Sequence, residues 1–149
     1  MPANQDHAHD VIAIGRSSVD LYGQQIGSRL EDIATFSKSV GGCPANIAVG
    51  TARLGLKSGL ITGVGAEQMG RFIIEQCARE GVATQGIKID KERLTALVLL
   101  AVEDEGVSPM IFYRPDCADM AITEDDVDEA FVRSSKSVLV SGTHFSRPN

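Results

Sequence analysis

The sequence lacks long apolar runs, clusters of basic residues and an apolar leader segment. Its longest unbroken apolar stretch, residues 96–102, is too short to span a lipid bilayer. Residues 1–10 are polar, which predicts a disordered N-terminal tail rather than a secretory signal. The formal net charge is −6 and the Lys and Arg residues are scattered, which disfavours a nucleic-acid-binding surface. We therefore expect neither a membrane nor a nucleic acid as a partner.

Cysteine is also scarce. Cys43, Cys77 and Cys117 are odd in number and lack the spacing of a metal site, so we expect reduced thiols in a cytoplasmic protein. His7 and His9 fall in the polar tail, and we predict no metal site there. The 149 residues, 43% of them apolar and 23% charged, suffice for one globular domain with its own core.

Segments of strand and helix type alternate along the chain. Apolar runs that end at glycine predict strands, and apolar residues spaced by three and four predict helices. We expect strands at residues 11–14, 58–64, 95–102, 110–113 and 137–141, and helices at residues 44–54, 69–80 and 123–134. Residues 95–102 and 110–113 should pair as a hairpin around the acidic turn at residues 103–106. The alternation predicts an α/β fold with a parallel sheet and right-handed crossovers.

The segment from Gly41 to Gly55 has the composition of a polar binding corner followed by a close-packed helix. Gly41 and Gly42 lack a Cβ, so a ligand can approach their peptide groups and φ can be positive. Pro44 suits the first turn of a helix, and Gly55 suits the position just after its end. Small apolar residues recur along one face that can lie close to a sheet: Ala45, Ala48, Val49 and Ala52.

The pattern Gly41-Gly42, Asn46, Ala48 and Leu54-Gly55 resembles the N-terminal signature of the ribokinase-like (pfkB-type) carbohydrate kinases. The resemblance implies an α/β fold in which helices flank a parallel sheet, with a small β-sheet lid over the sugar site. In that family two insertions supply the lid strands. Residues 22–40 and 87–113 occupy the corresponding positions here.

The resemblance also implies which side chains bind the sugar. In the family the paired glycines, here Gly41 and Gly42, and an asparagine, here Asn46, contact substrate hydroxyls. An aspartate after the first strand, here Asp20, accepts hydrogen bonds from two hydroxyls, a role that suits an ionised carboxylate. Taken alone, Asp20 could be a solvated loop acid or a helix cap, and Asn46 a cap residue. We expect Asp20 and Asn46 to share one hollow beside Gly42.

An arginine follows two aromatic residues at the end of the predicted hairpin. A guanidinium can hold a carboxylate by two parallel hydrogen bonds, although an arginine can equally be solvated at a loop start. Family members that phosphorylate keto-deoxy sugar acids have an aromatic–Tyr–Arg element near this position. The resemblance therefore implies that Arg114 binds a substrate carboxylate, with Tyr113 and Phe112 beside it.

The segment Gly63-Val64-Gly65 lies between a predicted strand and a helix, where nucleotide-binding loops occur. Gln68 stands where a dinucleotide fingerprint needs its third glycine, and the sequence has no Gly-Lys-Ser/Thr of a P-loop. We interpret the segment as a tight turn. A dinucleotide-binding oxidoreductase domain is a disfavoured alternative.

The second signature of the family, Asp-Thr-x-Gly-Ala-Gly-Asp, does not occur in the sequence. In the family its last aspartate is the catalytic base, and its glycines form an anion hole at a helix N-terminus, in the half of the fold that binds ATP and Mg²⁺. The resemblance therefore implies that this chain covers the N-terminal half of a kinase. The catalytic Asp is then expected beyond Asn149, and the half alone is expected to be inactive.

The expected function of the parent protein is ATP-dependent phosphorylation of a sugar acid at a primary hydroxyl. Within the family, residues 14–23, 93–100 and 112–120 are most similar to the kinases of keto-deoxy sugar acids. The first candidate substrate is 5-dehydro-2-deoxygluconate of myo-inositol catabolism, and the second is 2-keto-3-deoxygluconate. A non-catalytic sugar-binding module that keeps only the substrate half is an alternative of another class. Family members often dimerise through the lid, so a homodimer is a further expectation.

Overall fold

The computed structural model describes residues 7–102 and 109–141, which form two β-sheets and three α-helices. The strands are β1 (His9–Ile14), β2 (Ser18–Gly23), β3 (Phe36–Gly41), β4 (Ser58–Gly65), β5 (Ile87–Asp90), β6 (Leu97–Leu100), β7 (Met110–Tyr113) and β8 (Ser135–Val140). The helices are α1 (Cys43–Arg53), α2 (Gln68–Arg79) and α3 (Glu129–Arg133), with 3₁₀ turns at Leu30–Asp32, Ala118–Met120 and Glu124–Asp126. None of the helices in these ranges has the length and apolar content to cross a membrane.

Four parallel strands form the larger sheet, in the order β5-β4-β1-β8. Strand β4 is buried along its whole length, as expected for a central strand that is covered on both faces. Ala13 and Leu60 belong to the core that packs against α1 and α2. On the opposite face, Ile12 and Ile61 pack against Phe131 of α3. The predicted parallel α/β core is confirmed.

The smaller sheet has the strand order β3-β2-β6-β7. Strands β2 and β6 are parallel, whereas the two outer pairs are antiparallel. The pairing of β6 with β7 confirms the predicted hairpin, although the acidic turn at residues 103–106 lies outside the described residues. All four residues of β7 are exposed. A second, small sheet is what the resemblance implied.

Helix α1 begins and ends where the sequence predicts. Gly42 precedes it with a φ of +94°, and a proline lies in its first turn. Gly55 follows its end with a φ of +91° and donates its N–H to the carbonyl of Ala52 at 2.9 Å, which satisfies one of the carbonyls that a helix end leaves free. Ala45 and Ala48 are fully buried, so the small-residue face packs against the larger sheet as predicted.

The two predicted lid segments need new boundaries. Strand β5 falls in the predicted segment 87–113, but it pairs in parallel with β4 in the larger sheet, with Ile89 opposite Val64. It follows α2 and completes a strand–helix–strand unit, so its nearest open edge is that of β4. Only β6 and β7 of this segment belong to the smaller sheet. The other segment begins at Ser18 rather than at residue 22.

The predicted disordered tail at residues 1–10 is too long, because His9 and Asp10 are the first residues of β1. His9 Nδ1 lies 2.9 Å from Ser134 Oγ, and its ring meets that of Phe131 edge-on at 5.1 Å between centroids. Asp10 pairs with Lys136 at 2.7 Å. These partners lie more than 120 residues away along the chain, so local polarity could not reveal them.

The single helix predicted for residues 123–134 is divided in two. Thr123 and Asp126 form a capping box around a 3₁₀ turn, as a helix start at Thr123 predicts. The chain is then extended at Asp128, whose side chain accepts hydrogen bonds from the N–H groups of Ala130 and Phe131. Aspartate favours an N-cap over a helix interior, so α3 starts anew there and the longer helix is broken.

Candidate functional site

Asp20 lies on β2, on the face of the smaller sheet opposite to the one that packs against α1 and α2. Its cross-strand neighbours are Ser39 and Val98, and Val98 in turn lies opposite Phe112. Residues directly opposite each other in adjacent strands share a face, so these side chains form one surface. Asp20 is half-buried there, and its Oδ1 accepts a hydrogen bond from Ser18 Oγ at 2.8 Å.

The paired glycines form the corner beside Asp20. A Cβ at Gly41 would lie 2.1 Å from the carboxylate oxygens of Asp20, so any side chain at this position would displace that carboxylate. A Cβ at Gly42 would lie 2.5 Å from the carbonyl oxygen of Arg16, and the positive φ there also favours glycine. The glycines are thus required by close approaches within the chain, and they leave the Asp20 carboxylate in place at the corner.

Arg114 follows β7 and reaches the same corner. Its Nη2 donates a hydrogen bond to Ser18 Oγ at 3.2 Å, and its Cζ lies 5.5 Å from the ring centroid of Phe112. Its Nε is buried and has no hydrogen-bond partner among the described residues. Arg114 therefore has an unused donor, and its guanidinium is linked to Asp20 through Ser18.

The surroundings of Arg114 favour an anionic ligand. Burial lowers the pKa of Arg114 and the nearby Arg16 lowers it further, whereas Asp119 and Asp20 raise it. An anion placed on this guanidinium would accept the free hydrogen bond and offset the desolvation of the positive charge. The corner can therefore bind a carboxylate at Arg114 while Asp20 accepts hydrogen bonds from hydroxyl groups.

A buried ion pair that the sequence analysis missed supports this corner. Arg16 Nε donates to Asp119 Oδ2 at 2.5 Å, and the two side chains are only 8% and 0% exposed. The other oxygen, Asp119 Oδ1, is buried and has no hydrogen-bond partner in the described part of the chain. The pair joins the β1–β2 connection to the Ala118–Met120 turn, across 103 positions of sequence. At that separation no spacing motif could have revealed it.

Ser18, which is fully buried like its neighbour Ser17, was also missed as a site residue. Ser17 Oγ accepts a hydrogen bond from Thr62 Oγ1 at 2.9 Å and donates to the carbonyl of Gly63 at 3.4 Å, so it binds to β4 of the larger sheet. Ser18 Oγ instead contacts the two charged residues of the corner, Asp20 and Arg114. One serine thus faces the core and the next faces the candidate site.

The structure does not bring Asn46 and Tyr113 into this group. Asn46 is exposed in the first turn of α1 and lines a hollow of about 300 Å³ with residues of β3, α1 and α2, and Asp20 is not among them. Tyr113 lies opposite Leu97, on the other face of the smaller sheet, because side chains alternate along a strand. Within the described residues the expected hollow shared by Asp20 and Asn46 is therefore not found. As substrate ligands, Asn46 and Tyr113 remain predictions.

The tight turn expected at Gly63-Val64-Gly65 is wrong, because these residues are the end of β4 and stay paired with β5 as far as Gly65. A Cβ at Gly63 would lie 2.3 Å from the carbonyl oxygen of Ala118, and one at Gly65 would lie 2.0 Å from Glu67 Oε2. Protein atoms therefore pack closely against both glycines. Within the described residues no three or more His, Cys, Asp or Glu side chains are grouped so that they could hold a metal ion.

A family model described as pfkB family carbohydrate kinase matches residues 8–148 of the sequence. The chain belongs to this family. The match includes both sheets and the glycine corner, and it confirms the resemblance that the Gly41–Gly55 pattern indicated.

Named relatives agree with the family match. A 5-dehydro-2-deoxygluconokinase from Geobacillus kaustophilus is 38% identical to this pfkB-family chain over 148 residues, which are 99% of the chain and 44% of the relative. A protein of the same name from Halalkalibacterium halodurans is 40% identical over 143 residues, 95% of the chain and 43% of the relative.

A solved structure shows the same fold. The crystal structure of a sugar kinase from Pyrococcus horikoshii in complex with ATP superposes with a TM-score of 0.81 at 34% identity, covering 87% of this chain and 42% of that one. The chain thus has the ribokinase-like fold over the part that it spans. It spans less than half the length of these relatives.

Proposed function

We propose that the protein carrying this chain is a kinase that phosphorylates 5-dehydro-2-deoxy-D-gluconate, a sugar acid, at a primary hydroxyl. Two relatives at 38% and 40% identity bear the name of that activity. The sugar kinase from Pyrococcus horikoshii is described with ATP, which supports ATP, together with Mg²⁺, as the phosphoryl donor. We expect the nucleotide site that the family implies to lie beyond the described residues.

The observation that carries the proposal is the state of Arg114. This guanidinium is half-buried, has an unused Nε donor, and is directed to the corner that also holds the Asp20 carboxylate. A neutral sugar would leave the positive charge of Arg114 desolvated and unpaired, whereas the carboxylate of a sugar acid would pair with it. Asp20 can meanwhile accept hydrogen bonds from hydroxyls of the same molecule, so the corner distinguishes the two ends of an acid substrate.

A substrate panel tests the proposal on the full-length protein. Phosphoryl transfer is measured with 5-dehydro-2-deoxy-D-gluconate, 2-keto-3-deoxygluconate, ribose and fructose. We expect the first compound to give the highest kcat/KM. If 2-keto-3-deoxygluconate is preferred, the substrate is corrected within the sugar acids. If a neutral sugar is preferred, the acid assignment fails, and if sugar is bound but never phosphorylated, the protein is a binding module.

Replacement of Arg114 tests the role of its charge directly. Because a hydrogen bond to a charged group contributes about 1.5–3 kcal/mol, Arg114→Met should raise KM for the sugar acid about tenfold to a hundredfold. KM for fructose should stay within about twofold of the unsubstituted protein. Arg29→Met is the matched control, because Arg29 is 71% exposed and pairs with Asp32 away from the corner. An equal rise of KM for both sugars would contradict the proposed carboxylate contact.

The proposal includes pairing of two copies through the smaller sheet. Strand β7 is an edge strand, and all four of its residues are large, apolar or aromatic and exposed. An exposed apolar edge of this kind favours association with another sheet. Light scattering on the full-length protein should give twice the chain mass, and Ile111→Lys should shift it to the monomer. A monomer without the substitution would contradict the proposed pairing.

A further inference from the structure

Ser18 is placed between the two charged residues of the candidate site. Its side chain is fully buried, and its hydroxyl is bonded to groups from two separate parts of the smaller sheet. Ser18 Oγ donates a hydrogen bond to Asp20 Oδ1 at 2.8 Å and accepts one from Arg114 Nη2 at 3.2 Å. A hydroxyl has one proton to donate and two lone pairs. Here the Ser18 proton is donated to the Asp20 carboxylate, and one lone pair of Ser18 Oγ accepts the hydrogen bond from the Arg114 guanidinium.

Asp20 and Arg114 carry opposite charges, yet the ion pairs of the described residues include none between them. Strand β6 lies between β2 and the strand that precedes Arg114, so two strand spacings of about 4.8 Å separate the backbones. A long guanidinium side chain can cover such a distance. The Ser18 hydroxyl occupies the position between the two charges and holds each of them by one hydrogen bond.

We propose that Ser18 is a positioning residue that keeps Arg114 and Asp20 apart and thereby sets the distance between the carboxylate and the hydroxyl groups of an accepted sugar acid. The proposal rests on the function proposed above. Without the hydroxyl, Arg114 would pair directly with Asp20, and each charge would neutralise the group that the substrate needs. With the hydroxyl present, Asp20 Oδ2 and Arg114 Nε are not used by Ser18. Arg114 Nε has no hydrogen-bond partner among the described residues and is left for a substrate carboxylate.

The surrounding chain makes this spacing rigid. The ion pair between Arg16 and Asp119 fixes the segment after β7 to the residues just before Ser18. On the other side, Ser17 is bonded to Thr62 on the fully buried strand β4. Ser18 thus has a fixed backbone on which to hold the two charges, which is what a positioning group requires.

Two neighbouring serines provide a matched experiment on the full-length protein. Ser18→Ala removes the bridging hydroxyl, and Ser17→Ala removes an equally buried hydroxyl that contacts neither Asp20 nor Arg114. We expect Ser18→Ala to raise KM for the sugar acid about tenfold while kcat changes less than about twofold, because ground-state binding is lost. Ser17→Ala should leave KM within about twofold, even where it lowers the melting temperature.

A second background distinguishes positioning from a structural role. If Ser18 acts by keeping Arg114 away from Asp20, the tenfold effect of Ser18→Ala should fall to less than about twofold when Arg114→Met is already present. A structural role would give the same ratio in both backgrounds. Ser18→Cys, which keeps the size of the side chain and weakens its hydrogen bonds, replaces Ser18→Ala in both measurements if the alanine variant does not fold.

The outcomes separate this inference from the proposed function. If the unsubstituted protein prefers the sugar acid but KM is unchanged in Ser18→Ala, or rises equally in Ser17→Ala, the inference on Ser18 is overturned and the function stands. If the unsubstituted protein prefers fructose, the proposed function fails and the inference fails with it. A KM effect confined to Ser18 and dependent on Arg114 supports both.

Discussion

The two sheets of this chain differ in how far their strands are covered. Strand β4 of the larger sheet is buried at all eight positions, whereas β7 of the smaller sheet is exposed at all four. Helices pack on both faces of the larger sheet, and the smaller sheet meets them on one face only, where Val19 joins the common core. The difference separates two tasks. The larger sheet supplies burial and stability, and the smaller sheet leaves a face free for a ligand.

The junction between the sheets combines both properties. Arg16 and Asp119 are as buried as core residues, yet they are charged and lie beside the candidate site. The two consecutive serines also have different partners. Ser17 is hydrogen-bonded to β4, and Ser18 is hydrogen-bonded to Asp20 of the candidate site. Substitutions at the junction should therefore affect stability strongly, and substitutions within the smaller sheet should affect it little.

The largest effect on stability is expected from Asp119→Asn. This change leaves Arg16 buried without its counter-charge, and removing one partner of a buried ion pair typically destabilises a protein by about 3–5 kcal/mol. Urea unfolding of the protein that carries this chain measures the loss. Glu129→Gln is the control, because its pair with Arg133 is 76% exposed on both sides and should contribute nothing measurable. Equal losses in the two variants would mean that the buried pair does not hold the junction.

Two isoleucines, one on each sheet, allow the contributions of the two sheets to stability to be compared. Ile61 on β4 is 1% exposed and packs against Phe131, whereas Ile111 on β7 is 44% exposed. Ile61→Ala should lower the free energy of unfolding by about 3 kcal/mol because it leaves a cavity. Ile111→Ala should lower the free energy of unfolding of a single, unpaired copy by about 1 kcal/mol or less. The same unfolding experiment checks both, and similar losses would show that the smaller sheet is as important for stability as the larger one.

Much of the larger sheet could be predicted from local sequence. Its central strands are short apolar runs, and α1 and α2 have apolar spacing and end before glycines with positive φ, Gly55 and Gly81. Features that depend on distant partners could not be predicted. The position of β5 in the larger sheet and the partners of His9 both result from contacts between elements that are far apart in sequence.

Some residues of the candidate site could likewise be predicted from the sequence, and others could not. Asp20, Gly41, Gly42 and Arg114 were identified from motif positions, and the structure brings them to one corner. Ser18 carries no motif signal of its own, because its importance comes from lying between Asp20 and Arg114. The separation of Tyr113 from Asp20 follows from strand alternation, but it requires the register of three strands, which sequence periodicity does not give.

The smallest expected effect on stability concerns two buried thiols. One lies in the core under the larger sheet and the other beside the candidate site. Burial is the main cause that raises the pKa of Cys77, to about 11 from an ordinary 9.0, and Glu80 adds to it. For Cys117, burial and then Asp119 raise the pKa, while Arg16 and Arg114 oppose the increase. Alkaline pH should therefore affect the core thiol more than the thiol next to the site.

Stability should decrease at alkaline pH because the folded and unfolded states of Cys77 lose their proton at different pH. Between pH 9 and 11 the Cys77 thiol loses its proton in the unfolded state but keeps it in the folded state. The contribution of Cys77 to the free energy of unfolding is therefore complete below pH 9 and is lost as the pH rises. The slope is on the order of 1 kcal/mol per pH unit. Urea unfolding at pH 8.5 and 10.5 should show this decrease in the unsubstituted protein and in Cys117→Ala, and a smaller one in Cys77→Ala. If Cys77→Ala keeps the full decrease, other groups cause the alkaline sensitivity, and burial under the larger sheet is not what distinguishes the two thiols.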